Sequence, residues 1–126
     1  RGQGHRGDAA FVGGAEGAQR QVERHLRAAG LRLVERNYRT PGRGGGEVDL
    51  ILREPGGTLV FVEVRARASH GFGGAAASVG PAKQARLVRA ARSYLLRLPA
   101  PPPCRFDVVA IDSGQLQWLR GAFEAG

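Results

Sequence analysis

Two apolar strand patterns that follow one another along the chain each contain an acid, Asp49 in the first and Glu63 in the second. Between them, Glu54 and Thr58 flank a Pro-Gly-Gly segment of the kind that forms hairpin turns. If Glu54 and Thr58 close a short loop, the pairing register puts Asp49 directly opposite Glu63. Two carboxylates that face each other across a ladder repel and destabilise the sheet. A divalent metal is therefore the natural candidate to lie between them, because Mg²⁺ binds one or two carboxylates and completes its shell with water and phosphate oxygens.

The same register places a second pair, Glu47 and Arg65, across the two strands. Strand alternation puts Glu47 on the face of Asp49, and Arg65 on the face of Glu63. One interpretation is that Arg65 contacts a substrate phosphate through its bidentate guanidinium fork. The alternative is a structural ion pair with Glu47, which would contribute only about 0.2–1 kcal/mol. We favour the phosphate role.

The overall charge of the chain is strongly positive. Its 126 residues include 19 Lys and Arg against 11 Asp and Glu, which gives a formal net charge of +8. Such a balance favours a polyanionic partner, first of all nucleic acid. Only one of the basic residues, Lys83, is a lysine, so coding bias towards arginine is an alternative source of part of this charge.

Residue usage also excludes several classes of protein. The single cysteine, Cys104, allows neither an intrachain disulfide nor a cysteine-based metal site. No run approaches the ~18 consecutive apolar residues of a membrane span, so we expect no membrane partner. Residues 1–13 are rich in Gly and Arg without the apolar segment of a secretory signal, and we expect a basic flexible tail there. We expect residues 14–126 to form a single domain of a cytoplasmic protein.

Hydrophobic periodicity predicts two helices and five strands. The first helix runs through 15–29, a strand follows at 31–39, and the hairpin strands lie at about 47–53 and 58–67. A Gly-, Ala- and Ser-rich loop at 68–80 leads to a second helix that begins with Pro81. A fourth strand centred on 106–110 and a short fifth strand at 116–118 complete the chain. The order α-β-β-β-α-β-β predicts an α/β fold with a mixed sheet and one helix on each face.

The acidic hairpin carries a resemblance to a known group of enzymes. Asp49, followed by Glu63, Val64 and Arg65 on the next strand, resembles the Asp…(Asp/Glu)-x-Lys signature of the PD-(D/E)XK nuclease superfamily. From residue 14 to residue 123 the chain more closely resembles the YraN-like family of endonucleases, which is related to Holliday junction resolvases. The matching segments are 14–17, 36–39, 46–51, 61–65, 74–79, 83–84 and 104–110. The resemblance implies a restriction-endonuclease-like core, an α+β mixed sheet flanked by helices.

The resemblance also implies a catalytic metal. Asp49, Glu63 and the backbone carbonyl of Val64 would hold Mg²⁺ or Mn²⁺, which would polarise a phosphodiester and lower the pKa of a bound water. Glu16 corresponds to an acid that many members present from their first helix, as a further ligand or to orient water. The alternative for Glu16 is an ordinary acid that is stabilised by the positive end of a helix.

Arg65 departs from the superfamily, which usually has lysine at this position. Arginine can stabilise negative charge on a phosphate, but it stays protonated and cannot act as a base. Arg65 therefore favours charge stabilisation, and it leaves a slow or inactive enzyme open as an alternative.

Other residues are candidates for binding the nucleic acid. Lys83 and Gln84 open the second helix, where related nucleases often carry an additional polar active-site residue, and a helix N-terminus also binds anions. Arg86 lies on the polar side of the same helix, while Asn37 and Arg39 precede the acidic hairpin and are candidates for contacts with the DNA backbone. A solvated helix face and a turn-forming Asn are the alternatives for these residues.

Three functions remain open from the sequence. The first is a metal-dependent endonuclease that acts on DNA phosphodiester bonds, with branched or flapped DNA as substrate and DNA favoured over RNA. The second is a nucleic-acid-binding module in which Arg65 has abolished turnover. The third is an accessory protein that docks on a helicase-like partner. Because resolvase-like nucleases often act as dimers, the resemblance also allows a homodimer.

Overall fold

The computed structural model describes residues 2–67, 79–112 and 114–125. Its elements follow the predicted order: α1 (Gly2–Ala28), β1 (Arg32–Arg39), β2 (Glu47–Arg53), β3 (Leu59–Arg67), α2 (Pro81–Leu95), β4 (Cys104–Asp112) and β5 (Gln115–Phe123). The fifth strand is longer than predicted. Among the described residues, neither helix has the length and apolar character needed to cross a membrane. The predicted loop at 68–80 lies, for residues 68–78, outside the described residues.

The five strands form one mixed sheet in sequence order, β1-β2-β3-β4-β5. The β1–β2, β2–β3 and β4–β5 pairs are antiparallel, and β3–β4 is parallel. Parallel neighbours need a crossover connection, and α2 lies in the connection from β3 to β4. The predicted fold class, a mixed sheet flanked by two helices, is therefore confirmed.

The two helices cover opposite faces of the sheet because each strand presents alternate apolar side chains to each side. On one face, Val22 and Leu26 of α1 pack against Val62 of β3. On the other face, Leu87 of α2 packs in a cluster that includes Phe61 of β3. Both faces of the central strands are thus buried, and a polar residue on these strands has to be explained by a partner.

Helix α1 is interrupted at one residue and ends at a glycine. Gly14 has non-helical φ and ψ values of 52° and −127°. Residues 2–13 have helical backbone. At the other end, Gly30 has φ +107°, and the amide of Leu31 donates to the carbonyl of Leu26 at 3.1 Å. This positive-φ glycine ends the helix.

The hairpin between β2 and β3 has the predicted register. The amide of Glu54 donates to the carbonyl of Thr58 at 2.9 Å, which closes the loop as expected. The strands pair from Arg53↔Leu59 to Leu50↔Val62, and this ladder ends one residue before Asp49 and Glu63 would face each other. The two acids therefore lie where the two strands separate.

Regular alternation is broken on either side of Asp49. Leu50 packs on the α1 side of the sheet, whereas Val48 packs on the α2 side, although the two residues are only two positions apart. The facing strand makes the same change, because Asn37 has φ +52° and Tyr38 packs on the α2 side. An Asn adopts positive φ more readily than most residues. Because of this local irregularity, the Asp49 side chain is not restricted to one face of the sheet.

Asp107 holds the last strand to the sheet. Its carboxylate is 1% exposed and accepts hydrogen bonds from Arg105 Nε at 3.0 Å, Trp118 Nε1 at 2.9 Å and the Gly121 amide at 2.9 Å. A buried charge with this many donors is satisfied by its own network. Asp107 is therefore a structural acid.

Gly46 brings the start of β2 close to α2. A Cβ atom at Gly46 would lie 2.3 Å from the carbonyl oxygen of Arg86 and 2.5 Å from the amide nitrogen of Ala90. Both neighbours are backbone atoms of a packed helix, so they cannot rotate away. The glycine therefore sets the spacing between α2 and the strand that carries Asp49.

We predict that Gly46→Ala lowers the free energy of unfolding by about 1–3 kcal/mol, because the added methyl group forces β2 and α2 apart. The matched control is Gly56→Ala, since a Cβ at Gly56 in the hairpin turn meets nothing within 4 Å. Denaturant unfolding followed by the fluorescence of Trp118 measures both variants. Equal stability of the two alanine variants would contradict the close approach at Gly46.

Candidate functional site

The carboxylate of Asp49 takes the place of a backbone hydrogen-bond acceptor in the sheet. Its Oδ2 accepts a hydrogen bond from the backbone amide of Val64 at 2.8 Å, just beyond the last β2–β3 pair. A strand amide that would otherwise lose its ladder partner is thereby satisfied by a side chain. Asp49 consequently lies between the two strands and next to the Glu63–Val64 peptide.

Glu63 is buried and has partners on only one of its two oxygens. The residue is 3% exposed, and its Oε2 lies 3.4 Å from Arg65 Nη1 and 3.6 Å from Lys83 Nζ. Its Oε1 is buried and has no hydrogen-bond partner within the described part of the chain. Leaving a buried acceptor unsatisfied is costly, so this oxygen marks a place where a ligand would be stabilised. The sequence placed Lys83 near DNA but did not show its contact with Glu63.

Burial raises the pKa values of both acids. The pKa of Glu63 is raised to about 7, first by burial and then by the negative charge of Asp49, while Lys83 and Arg65 oppose the shift. Burial also raises the pKa of Asp49, while the Val64 amide and Lys83 oppose this. The pair therefore retains a proton near neutral pH, which a bound cation would displace.

The residues present fit a hard divalent cation. Two carboxylates lie together, one of their oxygens is buried without a partner, and oxygen is the donor that Mg²⁺ and Mn²⁺ prefer. Among the described residues, however, no three Asp, Glu, His or Cys side chains form a group that could hold a metal. A cation at Asp49 and Glu63 would therefore depend on the main chain, water or substrate oxygens for its remaining ligands.

Glu16 is placed apart from the two buried acids. It is exposed on α1 and lines a groove between this helix and β1, together with Gln19 and Asn37. The structure does not bring it into a three-acid group with Asp49 and Glu63, since no such group exists among the described residues. A role for Glu16 as a direct ligand therefore remains only an expectation.

Gln19 connects α1 with the strand irregularity and was not singled out from the sequence. Its Nε2 donates to Asn37 Oδ1 at 3.0 Å and to the carbonyl oxygen of Asp49 at 3.4 Å. These contacts link α1 to the side chain of Asn37 and to the backbone of Asp49, where the alternation of both strands breaks. The partners are 18 and 30 residues away along the chain, so no local pattern could have indicated them.

The groove beside α1 is basic and has a volume of about 790 Å³. Its lining residues are Glu16, Gln19, Arg20, Glu23, Arg24, Arg27, Arg36 and Asn37. Within it, Arg36 forms a bidentate pair with the buried Glu23 at 2.8 and 2.9 Å, and Arg27 adds a contact at 3.2 Å. The hydrogen bond from Arg36 holds the pKa of Glu23 below its ordinary value. Arg20 and Arg24 are exposed on the same helix and are available to a polyanion.

Arg65 and Glu47 do not form the ion pair that we considered as an alternative. Glu47 instead lies 3.4 Å from Arg86 Nη2 and 3.8 Å from Arg39 Nη2, while Arg65 contacts Glu63. The reason is the broken alternation at Val48, which changes where the start of β2 directs its side chains. The alternative interpretation, a structural ion pair between Arg65 and Glu47, is therefore wrong, because the acid that Arg65 contacts is Glu63.

Arg39 and Arg86 form part of a second basic surface. With Arg89 and the glycine-rich segment 42–46 they line a hollow of about 320 Å³. Both predicted residues are exposed, and their contacts with the half-buried Glu47 leave guanidinium donors accessible to solvent. This surface suits contacts with a phosphate backbone rather than chemistry.

Gln84 forms hydrogen bonds to the residues just before α2. Its Nε2 donates to the carbonyl oxygen of Val79 at 3.0 Å, and its backbone amide donates to Gly80 at 2.9 Å. Its side-chain hydrogen bond is thus with the helix start and not with Asp49 or Glu63. The structure gives Gln84 a positioning role for the turn that carries Lys83.

The raised pKa of Glu63 predicts that the protein is more stable in mild acid. In the unfolded chain the carboxyl has its ordinary pKa of 4.5, whereas the folded value is about 7. Between these values the folded state binds more protons, so the free energy of unfolding falls as pH rises through this window. In Glu63→Gln this fall should be much smaller. Urea unfolding from pH 4.5 to pH 8 measures it, and identical profiles for the two proteins would contradict the shifted pKa.

Comparisons with known proteins agree with one another. The model of the uncharacterised protein family UPF0102 matches residues 18–111. A UPF0102 protein of Acidovorax sp. (strain JS42) is 72% identical over 101 residues, which cover 80% of this chain and 76% of the relative. One from Albidiferax ferrireducens is 63% identical over 110 residues, covering 87% and 86%, respectively. One from Methylibium petroleiphilum is 58% identical over 113 residues, covering 87% and 93%. The matched residues include the whole carboxylate site, and the chain belongs to the UPF0102 family.

Proposed function

We propose that this protein is a metal-dependent endonuclease that hydrolyses DNA phosphodiester bonds. The observation that carries the proposal is the buried Oε1 of Glu63, which has no partner among the described residues although Asp49 lies beside it. A fold gains no stability from two buried acids of raised pKa, and such clusters are typical of functional sites. The resemblance of the hairpin to PD-(D/E)XK nucleases supports the same chemistry.

Each residue of the site has a defined part in this reaction. Asp49 and Glu63, with the Val64 carbonyl that the resemblance adds, would hold Mg²⁺ or Mn²⁺. When bound, this cation lowers the pKa of a water molecule and polarises the phosphoryl oxygen. The Val64 amide fixes the orientation of Asp49, and Lys83 and Arg65 supply positive charge beside Glu63. In the net reaction, a water oxygen forms a bond to phosphorus and one P–O ester bond breaks, which yields a phosphomonoester and a hydroxyl group.

The charge distribution supports DNA as the substrate. The net charge of +8 gives the whole protein an attraction for polyanions. Exposed arginines also lie on two surfaces near the site, Arg20 and Arg24 beside α1 and Arg39 and Arg86 beside the start of β2. Two basic surfaces suit a substrate with more than one arm, so we propose branched or flapped DNA, cleaved in the cytoplasm.

A second candidate function is binding of nucleic acid without cleavage. It is favoured by one observation: Glu63 already has two cations, Arg65 and Lys83, within 3.6 Å. Together with a retained proton, these charges neutralise the acid pair without a metal. In that case the raised pKa values reflect a structural cluster, and Arg65 marks a lost activity.

Cleavage assays with charge-neutral variants separate these two functions. Asp49→Asn is preferred to Asp49→Ala, because the amide oxygen can still accept from Val64, whereas alanine leaves that amide unpaired at a cost of about 1–3 kcal/mol. With Mg²⁺ or Mn²⁺ we expect the wild type to nick flapped or four-way-junction DNA, and Asp49→Asn and Glu63→Gln to lose at least about 100-fold in rate. EDTA should abolish cleavage. Glu124→Gln, which removes an exposed acid far along the chain, is the matched control.

Calorimetric titration with Mn²⁺ provides a readout that does not depend on activity. The wild type and Glu124→Gln should bind the cation, and Asp49→Asn should not. Absence of Mn²⁺ binding in the wild type, with DNA affinity that falls steeply with salt, would contradict the nuclease and support the binding module. Retained Mn²⁺ affinity in Asp49→Asn would contradict the assignment of Asp49 as a ligand.

A further inference from the structure

One cation of the carboxylate site differs from all the others in residue type. The chain has 19 Lys and Arg residues, and Lys83 is the only lysine among them. Every other position of this kind in the chain is an arginine. Lysine differs from arginine because its charge is a compact ammonium on a flexible stem, whereas a guanidinium presents a planar fork of fixed donors. The presence of the single lysine at this position indicates a function that an ammonium group performs better than a guanidinium group.

Lys83 and Arg65 approach Glu63 from different elements. Lys83 lies in the first turn of α2 and reaches over the sheet to Glu63 Oε2 at 3.6 Å. Arg65 extends from the same strand as Glu63, two residues further on, and reaches the same oxygen at 3.4 Å. Because both cations contact one oxygen at the long end of the hydrogen-bonding range, either can leave while the other still balances the charge of Glu63.

The two cations are not equivalent in what they can do. Arg65 is tied to Glu63 through a short strand segment, and its fork can hold the carboxylate in one orientation. The ammonium of Lys83 has three donors, and at 3.6 Å none of them is committed to a short hydrogen bond with Glu63. A flexible stem allows this ammonium to turn to a phosphate without any movement of α2.

The surroundings of Lys83 favour an anionic ligand. The N-cap Gly80 makes no side-chain cap bond, and the first turn of α2 contains no acid. The amides of a helix start attract negative charge. Independently, the buried and unpartnered Oε1 of Glu63 indicates that a cation belongs beside this turn, and a phosphate oxygen can coordinate the same cation. A phosphate at Lys83 would thus be adjacent to the carboxylate pair.

We propose that Lys83 contacts the scissile phosphate and stabilises the negative charge that develops on it, whereas Arg65 remains paired with Glu63 and positions that carboxylate. This inference rests on the proposed endonuclease function. It transfers to helix α2 the role that the resemblance assigns to position 65. The departure at Arg65 then leaves the enzyme competent, because the lysine comes from a different element.

The single lysine gives a direct test of the contact. Selective labelling with ¹³C,¹⁵N-lysine produces one side-chain signal, and this signal is followed by NMR while a short DNA duplex is added in EDTA. We expect the Lys83 ε-CH₂ and Nζ resonances to shift with the fraction of DNA bound, both in the wild type and in Arg65→Met. A lysine signal that does not move when DNA binds, or no binding of DNA, would overturn the proposal.

Kinetics then separate a substrate contact from a positioning role. Lys83→Met keeps the length of the stem and should lower kcat on the order of 10²–10³-fold with little change in KM. Arg65→Met should cause a much smaller loss. Arg92→Met, which removes an exposed charge from the same helix, is the matched control and should behave as the wild type. A larger loss in Arg65→Met than in Lys83→Met would overturn the assignment. If the wild type does not cleave DNA, the proposed function fails, and the lysine signal alone decides whether Lys83 contacts a phosphodiester.

Discussion

The hydrogen bond from the Val64 amide to the Asp49 carboxylate is the interaction on which the site depends. It lies where the β2–β3 ladder ends, and it satisfies a strand amide with a side chain instead of a facing carbonyl. The two strands can therefore separate without leaving that amide unpaired. The separation places a carboxylate between them and beside Glu63. Since loss of this acceptor would leave the amide unsatisfied, Asp49 is held in one position before any ligand arrives.

Beside this hydrogen bond, the protein buries the Glu63 carboxylate next to the positive charges of Lys83 and Arg65. Glu63 is buried with an acid beside it, which would be strongly unfavourable without compensation. Lys83 from α2, Arg65 from β3 and a retained proton supply that compensation from three sources. Each of them can be displaced, unlike the fixed donors around Asp107, whose carboxylate is bound by two side chains and a backbone amide. Asp107 therefore stabilises the fold, whereas the Asp49–Glu63 pair has compensating charges that a ligand can replace.

Local signals made the framework of the site predictable, whereas its tertiary contacts were not. The register of the hairpin follows from the turn at Glu54 and Thr58, because a closed loop of known length determines which residues face each other. The buried positions of the central strands and the start of α2 at Pro81 are also local properties. The change of faces beside Asn37 is different. It depends on a positive φ that Gln19 supports from α1, and strand periodicity assumes regular alternation. The same irregularity explains why Glu47 contacts Arg39 and Arg86 and not Arg65.

In a protein with a net charge of +8, four exposed arginines line surfaces near the carboxylate pair without contacting it, namely Arg20, Arg24, Arg39 and Arg86. Exposed guanidinium groups attract DNA over distances of up to about 8 Å at physiological salt, and salt weakens this attraction. At the site itself, Asp49 and Glu63 face Lys83 and Arg65, so the local charges nearly cancel. For the proposed endonuclease, this balance would keep ground-state binding of a phosphate at the site weak, and the Lys83 ammonium would stabilise the charge that develops on the phosphate. Under the proposed function, affinity and bond cleavage would thus depend on different residues, and each could vary without the other.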